Sequence, residues 1–137
     1  MASSLSDRAR TAPRLAGCRV LIVDDNAEIQ SLYRTALRLS VPGIDVATAE
    51  DGIQALRRAR EFKPDVVLMD LTMPEMDGLE ATRRLKADRE TRRIRVIAIS
   101  GTTYDTQSVL DAGCDGYLLK PASPDEVMSE IVRVLGR

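Results

Sequence analysis

Histidine is absent from all 137 residues of the chain. Its absence excludes serine–histidine and cysteine–histidine catalysis, together with zinc sites of the usual cysteine and histidine kind. The chain also cannot donate a phosphoryl group from a phosphohistidine of its own. A metal ion held by its side chains would have oxygen ligands, which favours Mg²⁺, Ca²⁺ or Mn²⁺.

Cysteine is scarce, and a strong charge imbalance and long apolar runs are missing. Cys18 and Cys114 show no Cys-x-x-Cys spacing, so we expect reduced thiols in a cytoplasmic protein. A net charge of -1 gives no global electrostatic reason to bind nucleic acid, and no apolar run approaches the length of a membrane span. The hydrophobic content of 44% and charged content of 30% are typical of one globular domain.

The first seventeen residues are rich in serine, alanine and arginine and show no hydrophobic periodicity. They lack the apolar segment of a signal peptide, so we expect a disordered tail over residues 1–17 and a folded domain over residues 18–137. A longer hybrid protein containing this chain remains an alternative to a stand-alone domain.

Five short apolar runs alternate with helix-like stretches along the rest of the chain. Short aliphatic runs bounded by turn residues are typical of buried strands. The five predicted strands are Cys18–Val23, Ile44–Ala47, Val66–Met69, Ile94–Ile99 and Gly116–Leu119. Strict alternation predicts an α/β domain, with a five-stranded parallel sheet and helices on both faces.

The helices have recognisable starts and apolar faces. Helix-start residues occur at Asp25 or Asn26, at Asp77 and at Ser123. Helical spacing predicts that the apolar residues of the first two helices face the core, among them Leu32 and Ile53. A weaker fourth helix is expected around residues 104–112, before a glycine.

Polar side chains follow the carboxyl ends of four predicted strands. They are Asp24 and Asp25, Asp70, Ser100 and Lys120. Taken alone, Asp70 could simply start the turn that contains Pro74 and Asp77-Gly78. In a parallel sheet, however, these ends lie along one edge, where open α/β sheets place their ligands. The coincidence therefore predicts a functional site.

The chemistry of these residues limits what such a site can bind. Three neighbouring carboxylates repel one another, so they raise one another's pKa or hold a cation, for which Mg²⁺ is the natural choice. A lysine and a hydroxyl opposite them suit a phosphoryl group. Without histidine or a reactive cysteine motif, the available nucleophile is a carboxylate, which would form an acyl phosphate.

These motifs resemble the receiver domains of response regulators in two-component signalling. The resemblance spans roughly residues 18–136 and rests on motifs in a fixed order. They are Asp24-Asp25, Asp70 followed by Met73-Pro74-Glu75-Met76-Asp77-Gly78, Ser100, and residues 111–121 (DAGCDGYLLKP). The resemblance implies a flavodoxin-like (βα)5 fold with strand order 2-1-3-4-5.

The resemblance also implies a role for each residue of the edge. Asp70 would be the phosphoacceptor, taking a phosphoryl group from a histidine kinase or a histidine phosphotransfer protein. Asp25, Asp70 and the backbone carbonyl of Thr72 would bind Mg²⁺, with Asp24 acting mainly through water. Lys120 would pair with the phosphoryl oxygens.

Two further residues would form the switch of such a domain. Ser100 resembles the hydroxyl drawn toward the phosphoryl group, and Tyr117 resembles the aromatic that moves inward behind it. Tyr117 could instead be an ordinary half-buried strand residue. The resemblance also implies a cis peptide between Lys120 and Pro121, and it places Thr72 and Thr102 at the two positions that tune dephosphorylation.

Three functional hypotheses follow. The first is a phosphorylation switch that catalyses only its own phosphorylation and dephosphorylation, and that changes a protein-binding surface around the fourth helix, fifth strand and fifth helix. A Mg²⁺-dependent phosphohydrolase is disfavoured, because its chemistry usually needs a second acid where Thr72 stands. The third is a binding module with vestigial phosphorylation.

The basic run from Arg83 to Arg95 is either a solvated face or a docking patch for an acidic partner.

Overall fold

The computed structural model describes residues 11–73, 76–102 and 106–137. Its five strands form one parallel sheet: β1 (Arg19–Val23), β2 (Asp45–Ala49), β3 (Val66–Asp70), β4 (Arg95–Ser100) and β5 (Gly116–Leu119). Their order is β2-β1-β3-β4-β5. The predicted parallel sheet and the strand order implied by the resemblance are both confirmed.

Helices cover both faces of the sheet. They are α1 (Ala27–Ser40), α2 (Gly52–Phe62), α3 (Gly78–Ala87), α4 (Thr106–Asp111) and α5 (Pro124–Leu135). The expected first residues of the fourth helix, around Tyr104, lie outside the described residues. Within the described part of the chain, no helix combines the length and the apolar character needed to cross a membrane.

The core consists of two apolar layers, one on each face of the sheet. Successive residues of β1 alternate between them: Val20 and Ile22 pack with α1 and α5, whereas Leu21 and Val23 pack with α2, α3 and α4. Burial on both faces explains why the strands read as continuous apolar runs. Cys18 and Cys114 are buried and free, as expected from their spacing.

Side-chain caps fix where the helices begin. Asn26 accepts hydrogen bonds from the first turn of α1, which decides between the two predicted capping residues. Asp51 and Asp77 cap α2 and α3, and Ser123 forms a capping box with Glu126 at α5. Each cap stabilises its helix by about 1 kcal/mol. The caps follow the carboxyl ends of the strands, so they also fix the loops of the candidate site.

The structure differs from the expected disordered tail where residues 11–17 are described. Ala12–Leu15 form a 3-10 helix against α5, and Leu15 is completely buried in the core layer that contains Ile131. A single apolar residue has no periodicity, so the sequence pattern gave no sign of this packing. Among the described residues, packing against the domain therefore already includes Ala12–Leu15, which precede Cys18, and residues 1–10 lie outside the described part.

Two residues expected in the core are at the surface instead. Leu32 and Ile53 are each 54% exposed. On α2 the buried positions are small, Gly52, Ala55 and Ala59, which lets the helix lie close to the sheet and leaves Ile53 beside the contact. Helical spacing alone therefore predicted a buried apolar face that is wider than the one in the structure.

Candidate functional site

The strand register brings the polar residues of four strands to one edge of the sheet. Asp70, the last residue of β3, lies opposite Ile99 of β4, and Ser100 lies opposite Leu119 of β5. Asp24 directly follows β1, and Lys120 directly follows β5. The edge therefore carries all the strand-end residues singled out in the sequence.

Three carboxylates and one ammonium group form the centre of this edge. Oxygens of Asp24, Asp25 and Asp70 all lie within 4.8 Å of one another. Asp24 and Asp70 are each only 4% exposed, whereas Asp25 is exposed. The Lys120 Nζ lies 3.0 Å from Asp24 Oδ2 and 3.7 Å from Asp70 Oδ1. One positive charge faces three negative ones, so the cluster favours a further cation.

The pKa of Asp70 is shifted by its burial and by the charges around it. Burial raises this pKa, and the charges of Asp24 and Asp25 raise it further, against a hydrogen bond from the Thr72 N–H and the charge of Lys120. Burial opposes the charged form of Lys120, but its hydrogen bond to Asp24 and the two nearby carboxylates raise its pKa overall. Lys120 therefore remains a cation beside Asp70.

Two residues beyond the predicted set hold Asp24 in place. The Asn26 N–H donates to Asp24 Oδ1 at 2.9 Å. Gln30 Nε2 donates to the backbone carbonyl of Asp24 at 2.6 Å and to that of Ala49 at 3.0 Å. Gln30 thus ties the residue after β1 to the last residue of β2. Nothing in the sequence marks it, because its partners are backbone atoms of two separate segments.

The turn after β3 fixes the Asp70 carboxylate. The Thr72 N–H donates to Asp70 Oδ1 at 3.1 Å, and the Gly78 N–H donates to the Leu71 carbonyl at 3.2 Å. A Cβ on Gly78 would overlap the backbone carbonyl oxygen of Asp70. Pro74 and Glu75, which belong to the motif, lie outside the described residues.

The two expected switch residues meet at a third one, Thr102. The Ser100 hydroxyl is fully buried, accepts a hydrogen bond from the Thr102 N–H at 3.1 Å and lies 3.3 Å from the Thr102 hydroxyl. The Tyr117 hydroxyl donates to the Thr102 carbonyl at 3.3 Å. The described hydrogen bonds of the Ser100 hydroxyl therefore go to Thr102 and not to Asp70. The Lys120–Pro121 peptide is cis, as the resemblance implied.

The donor set fits a hard divalent cation. Three carboxylates supply only oxygen ligands, and their mutual repulsion is relieved by a positive ion. The site contains neither histidine nor cysteine, which excludes the softer ligand sets of zinc and copper. Mg²⁺ matches this chemistry.

Comparison with known proteins places the chain in a family. The family model of the response regulator receiver domain matches residues 20–132. The chain belongs to this family. It is therefore a signalling domain of the two-component type, and such domains work with histidine kinases and downstream targets. The resemblance seen in the motifs is confirmed.

Curated relatives of this receiver domain include both short and long proteins. The polar-differentiation response regulator DivK of Brucella anthropi is 38% identical over 119 residues, covering 85% of this chain and 95% of DivK. The transcriptional regulatory protein PrrA of Mycobacterium bovis is 37% identical over 119 residues, covering 87% of this chain but 50% of PrrA.

Solved receiver structures share the fold. The chemotaxis protein CheY4 of Vibrio cholerae has a TM-score of 0.80 at 29% identity, covering 87% of this chain and 99% of CheY4. The receiver domain of the sensor histidine kinase PA1611 from Pseudomonas aeruginosa PAO1 has a TM-score of 0.78 at 35% identity, covering 89% of this chain and 100% of that domain. That structure has a magnesium ion coordinated in its active site cleft.

Proposed function

We propose that this receiver domain accepts a phosphoryl group on Asp70 from the phosphohistidine of a histidine kinase or a histidine phosphotransfer protein. The observation that carries the proposal is the position of Asp70: a buried carboxylate at the end of β3, with Lys120 Nζ at 3.7 Å and two further carboxylates within 4.8 Å. We place this reaction in the cytoplasm.

The reaction is a single displacement at phosphorus, in which the protein supplies the nucleophile and positive charge. A carboxylate oxygen of Asp70 attacks phosphorus, the phosphorus–nitrogen bond to the donor imidazole breaks, and the imidazole nitrogen takes the electron pair. Asp24, Asp25, Asp70 and the Thr72 carbonyl would hold Mg²⁺, which neutralises charge on the transferring group when bound. Lys120 supplies a second positive charge to the phosphoryl oxygens, and it already lies beside Asp70.

The same geometry suggests how phosphorylation changes the surface. A phosphoryl oxygen on Asp70 would compete for the Ser100 hydroxyl, which is now hydrogen-bonded to Thr102. Thr102 also accepts the hydrogen bond of Tyr117, so a shift of this segment would release the ring. The phosphoryl group would thereby favour one of two conformations of the surface formed by α4, β5 and α5, where a downstream protein binds.

Intact-mass spectrometry tests the proposal. With acetyl phosphate and Mg²⁺, the wild-type chain should gain the mass of one phosphoryl group, and Asp70→Asn should gain none. Asp51→Asn is the matched control, because it makes the same chemical change on the same edge and asparagine caps a helix as well as aspartate. Undiminished labelling of the Asp70→Asn variant would refute the assignment.

The two alternative functions make different predictions. A phosphohydrolase would turn over p-nitrophenyl phosphate many times per molecule, but Thr72 occupies the position of its second acid. A binding module with vestigial phosphorylation would bind its partner equally well with and without beryllofluoride, a phosphoryl mimic. We expect neither result. Against the binding module stands the burial of Asp24 and Asp70, which has a cost that a scaffold has no reason to bear.

A further inference from the structure

The basic run from Arg83 to Arg95 separates into two groups in the structure. Four of its members have carboxylate partners: Arg83 and Arg84 pair with Glu80, whereas Lys86 and Arg95 pair with Asp115. The remaining three, Arg89, Arg92 and Arg93, are exposed and make no ion pair with any residue that the structure describes. They all lie in the loop between α3 and β4, residues 88–94.

This loop is rigid. Thr91 is 2% exposed, and its hydroxyl donates to the Leu85 carbonyl at 2.7 Å. Asp88 pairs with Arg60 at 2.7 Å and accepts a hydrogen bond from the Glu90 N–H at 2.9 Å. Further backbone bonds link Arg92 to Asp88 and Ile94 to Thr91. The three free guanidinium groups are therefore presented from an ordered backbone, which lowers the entropy cost of binding.

A small cavity adjoins the loop. It has a volume of about 260 Å³ and is lined by Arg93 and Arg95 together with Pro64, Asp65, Ile94 and Leu135. Three of these residues are apolar, two are arginines, and the sixth, Asp65, is an acid whose Oδ2 already accepts a hydrogen bond from the Arg19 N–H at 2.8 Å. Since β4 begins directly after the loop, the loop and the cavity lie at the amino edge of the sheet, opposite Asp70.

We propose that the loop over residues 88–94, with the adjoining cavity, is a docking site for an acidic protein segment that carries one apolar side chain. The carboxylates of the segment pair with Arg89, Arg92 and Arg93, and its apolar side chain enters the cavity beside Arg93. Guanidinium groups bind carboxylates through two parallel hydrogen bonds, which gives such a site directional specificity. Of the elements α4, β5 and α5, the site includes only Leu135, the last residue of α5, and it does not depend on phosphorylation of Asp70.

Size and charge favour a protein segment over other polyanions. Three free arginines are fewer than the six to ten phosphate contacts that support strong nucleic-acid binding, as a rough guide. The net charge of the chain is -1, so no long-range attraction draws it to an extended polyanion or an anionic membrane, and binding depends on the few short-range pairs that a short acidic segment can make. The three apolar residues in the lining of the adjoining cavity match an apolar side chain of a protein partner.

Fluorescence anisotropy with a short labelled peptide tests the site. The probe contains glutamate, aspartate and serine with one central leucine. The triple variant Arg89→Gln/Arg92→Gln/Arg93→Gln should bind it about tenfold more weakly than the wild type. The control Arg34→Gln/Arg38→Gln/Arg58→Gln removes the same charge from α1 and α2 and should stay within about twofold. Equal losses in the two triple variants would show a general charge effect and overturn the proposal.

Four further measurements make the test specific. Replacing the leucine of the probe by serine should weaken binding to the wild type, and an unchanged affinity would exclude the cavity. Arg89→Lys/Arg92→Lys/Arg93→Lys keeps the charge but should bind more weakly than the wild type. Tighter binding of a single-stranded RNA or of phosphatidylglycerol vesicles than of the peptide, lost in the loop variant, would reassign the site. A thermal melt confirms that each variant is folded.

Discussion

Gly78 shows how a single missing side chain shapes the candidate site. It is the first residue of α3 and lies against the end of β3, where a Cβ would overlap the Asp70 carbonyl oxygen. Its φ is not positive, so this position requires space and not conformational freedom. Because backbone atoms cannot yield as a flexible side chain does, Gly78→Ala must displace either the helix or the strand that carries Asp70.

We expect Gly78→Ala to lower the free energy of unfolding by about 2 kcal/mol and to slow the labelling of Asp70. Urea denaturation and timed intact-mass measurements check the two effects. Gly101→Ala is the control, because its Cβ would have no heavy atom within 4 Å and should cost less than about 0.5 kcal/mol. Equal stability of the two variants would contradict the steric argument.

The candidate site could be predicted in part from the sequence, because most of its residues stand directly after a predicted strand. Asp24, Asp70, Ser100 and Lys120 each follow or end an apolar run, so a parallel sheet necessarily brings them together. Gln30 could not be found this way. It acts through hydrogen bonds to the backbone carbonyls that end β2 and follow β1, and no spacing in the sequence marks a contact of that kind.

At the scale of elements, Asp115 joins α3, β4 and the start of β5. Its Oδ2 accepts hydrogen bonds from Lys86 Nζ and from the Val96 N–H, both at 2.9 Å, and its Oδ1 lies 3.5 Å from Arg95 Nη1. The Asp115 side chain is 23% exposed and that of Lys86 is 21% exposed. Removing the carboxylate leaves a partly buried ammonium and a backbone N–H without this acceptor.

We therefore expect Asp115→Ala to reduce the free energy of unfolding by about 2 kcal/mol. Glu61→Ala provides a comparison, since its pair with Arg57 is long, at 3.9 Å, and exposed at both ends. That change should cost less than about 0.5 kcal/mol. Chemical denaturation of both variants measures the difference, and a similar loss in the two would show that Asp115 is not a connecting residue.

The packing of Leu15 belongs to the same scale and marks where prediction from sequence fails. The five strands were predicted to within two residues at each end, because short apolar runs bounded by turn residues leave few alternatives. The 3-10 helix that carries Leu15 has one buried residue and no repeating pattern. Its position depends on the surface that α5 offers, which the local sequence does not contain.

Leu15→Ala should cost about 3 kcal/mol of unfolding free energy, because Leu15 is completely buried. Leu39→Ala makes the identical chemical change at a residue that is 82% exposed and should cost less than about 0.5 kcal/mol. Urea denaturation curves of the two variants decide the point. If Leu15→Ala were as stable as Leu39→Ala, residues 12–15 would not belong to the folded unit.

On the scale of the whole molecule, the fold concentrates negative charge at one edge to serve the proposed reaction. The cluster of Asp24, Asp25 and Asp70 faces one ammonium group, and Asp70 is buried. Folding must therefore bring like charges together and remove two of them, Asp24 and Asp70, from water, which opposes stability in the absence of a cation. Functional sites commonly reduce the stability of the fold that holds them.

This cost predicts that Asp70→Asn is more stable than the wild type in EDTA at neutral pH, by on the order of 1 kcal/mol. Because burial raises the pKa of Asp70, the folded state holds this proton more tightly than the unfolded chain does. The stability that this proton contributes is present below the pKa of Asp70 in the unfolded chain, about 4. It is lost as the pH rises through the higher pKa of Asp70 in the folded state. The stability advantage of Asp70→Asn over the wild type should accordingly grow across that acid range.

Mg²⁺ should stabilise the wild type more than Asp70→Asn, because it binds only the folded site. Urea titrations in EDTA and in Mg²⁺ across this pH range, with Asp51→Asn as control, measure each term. A wild type more stable than Asp70→Asn without metal would show that Lys120 already compensates the charge of this edge.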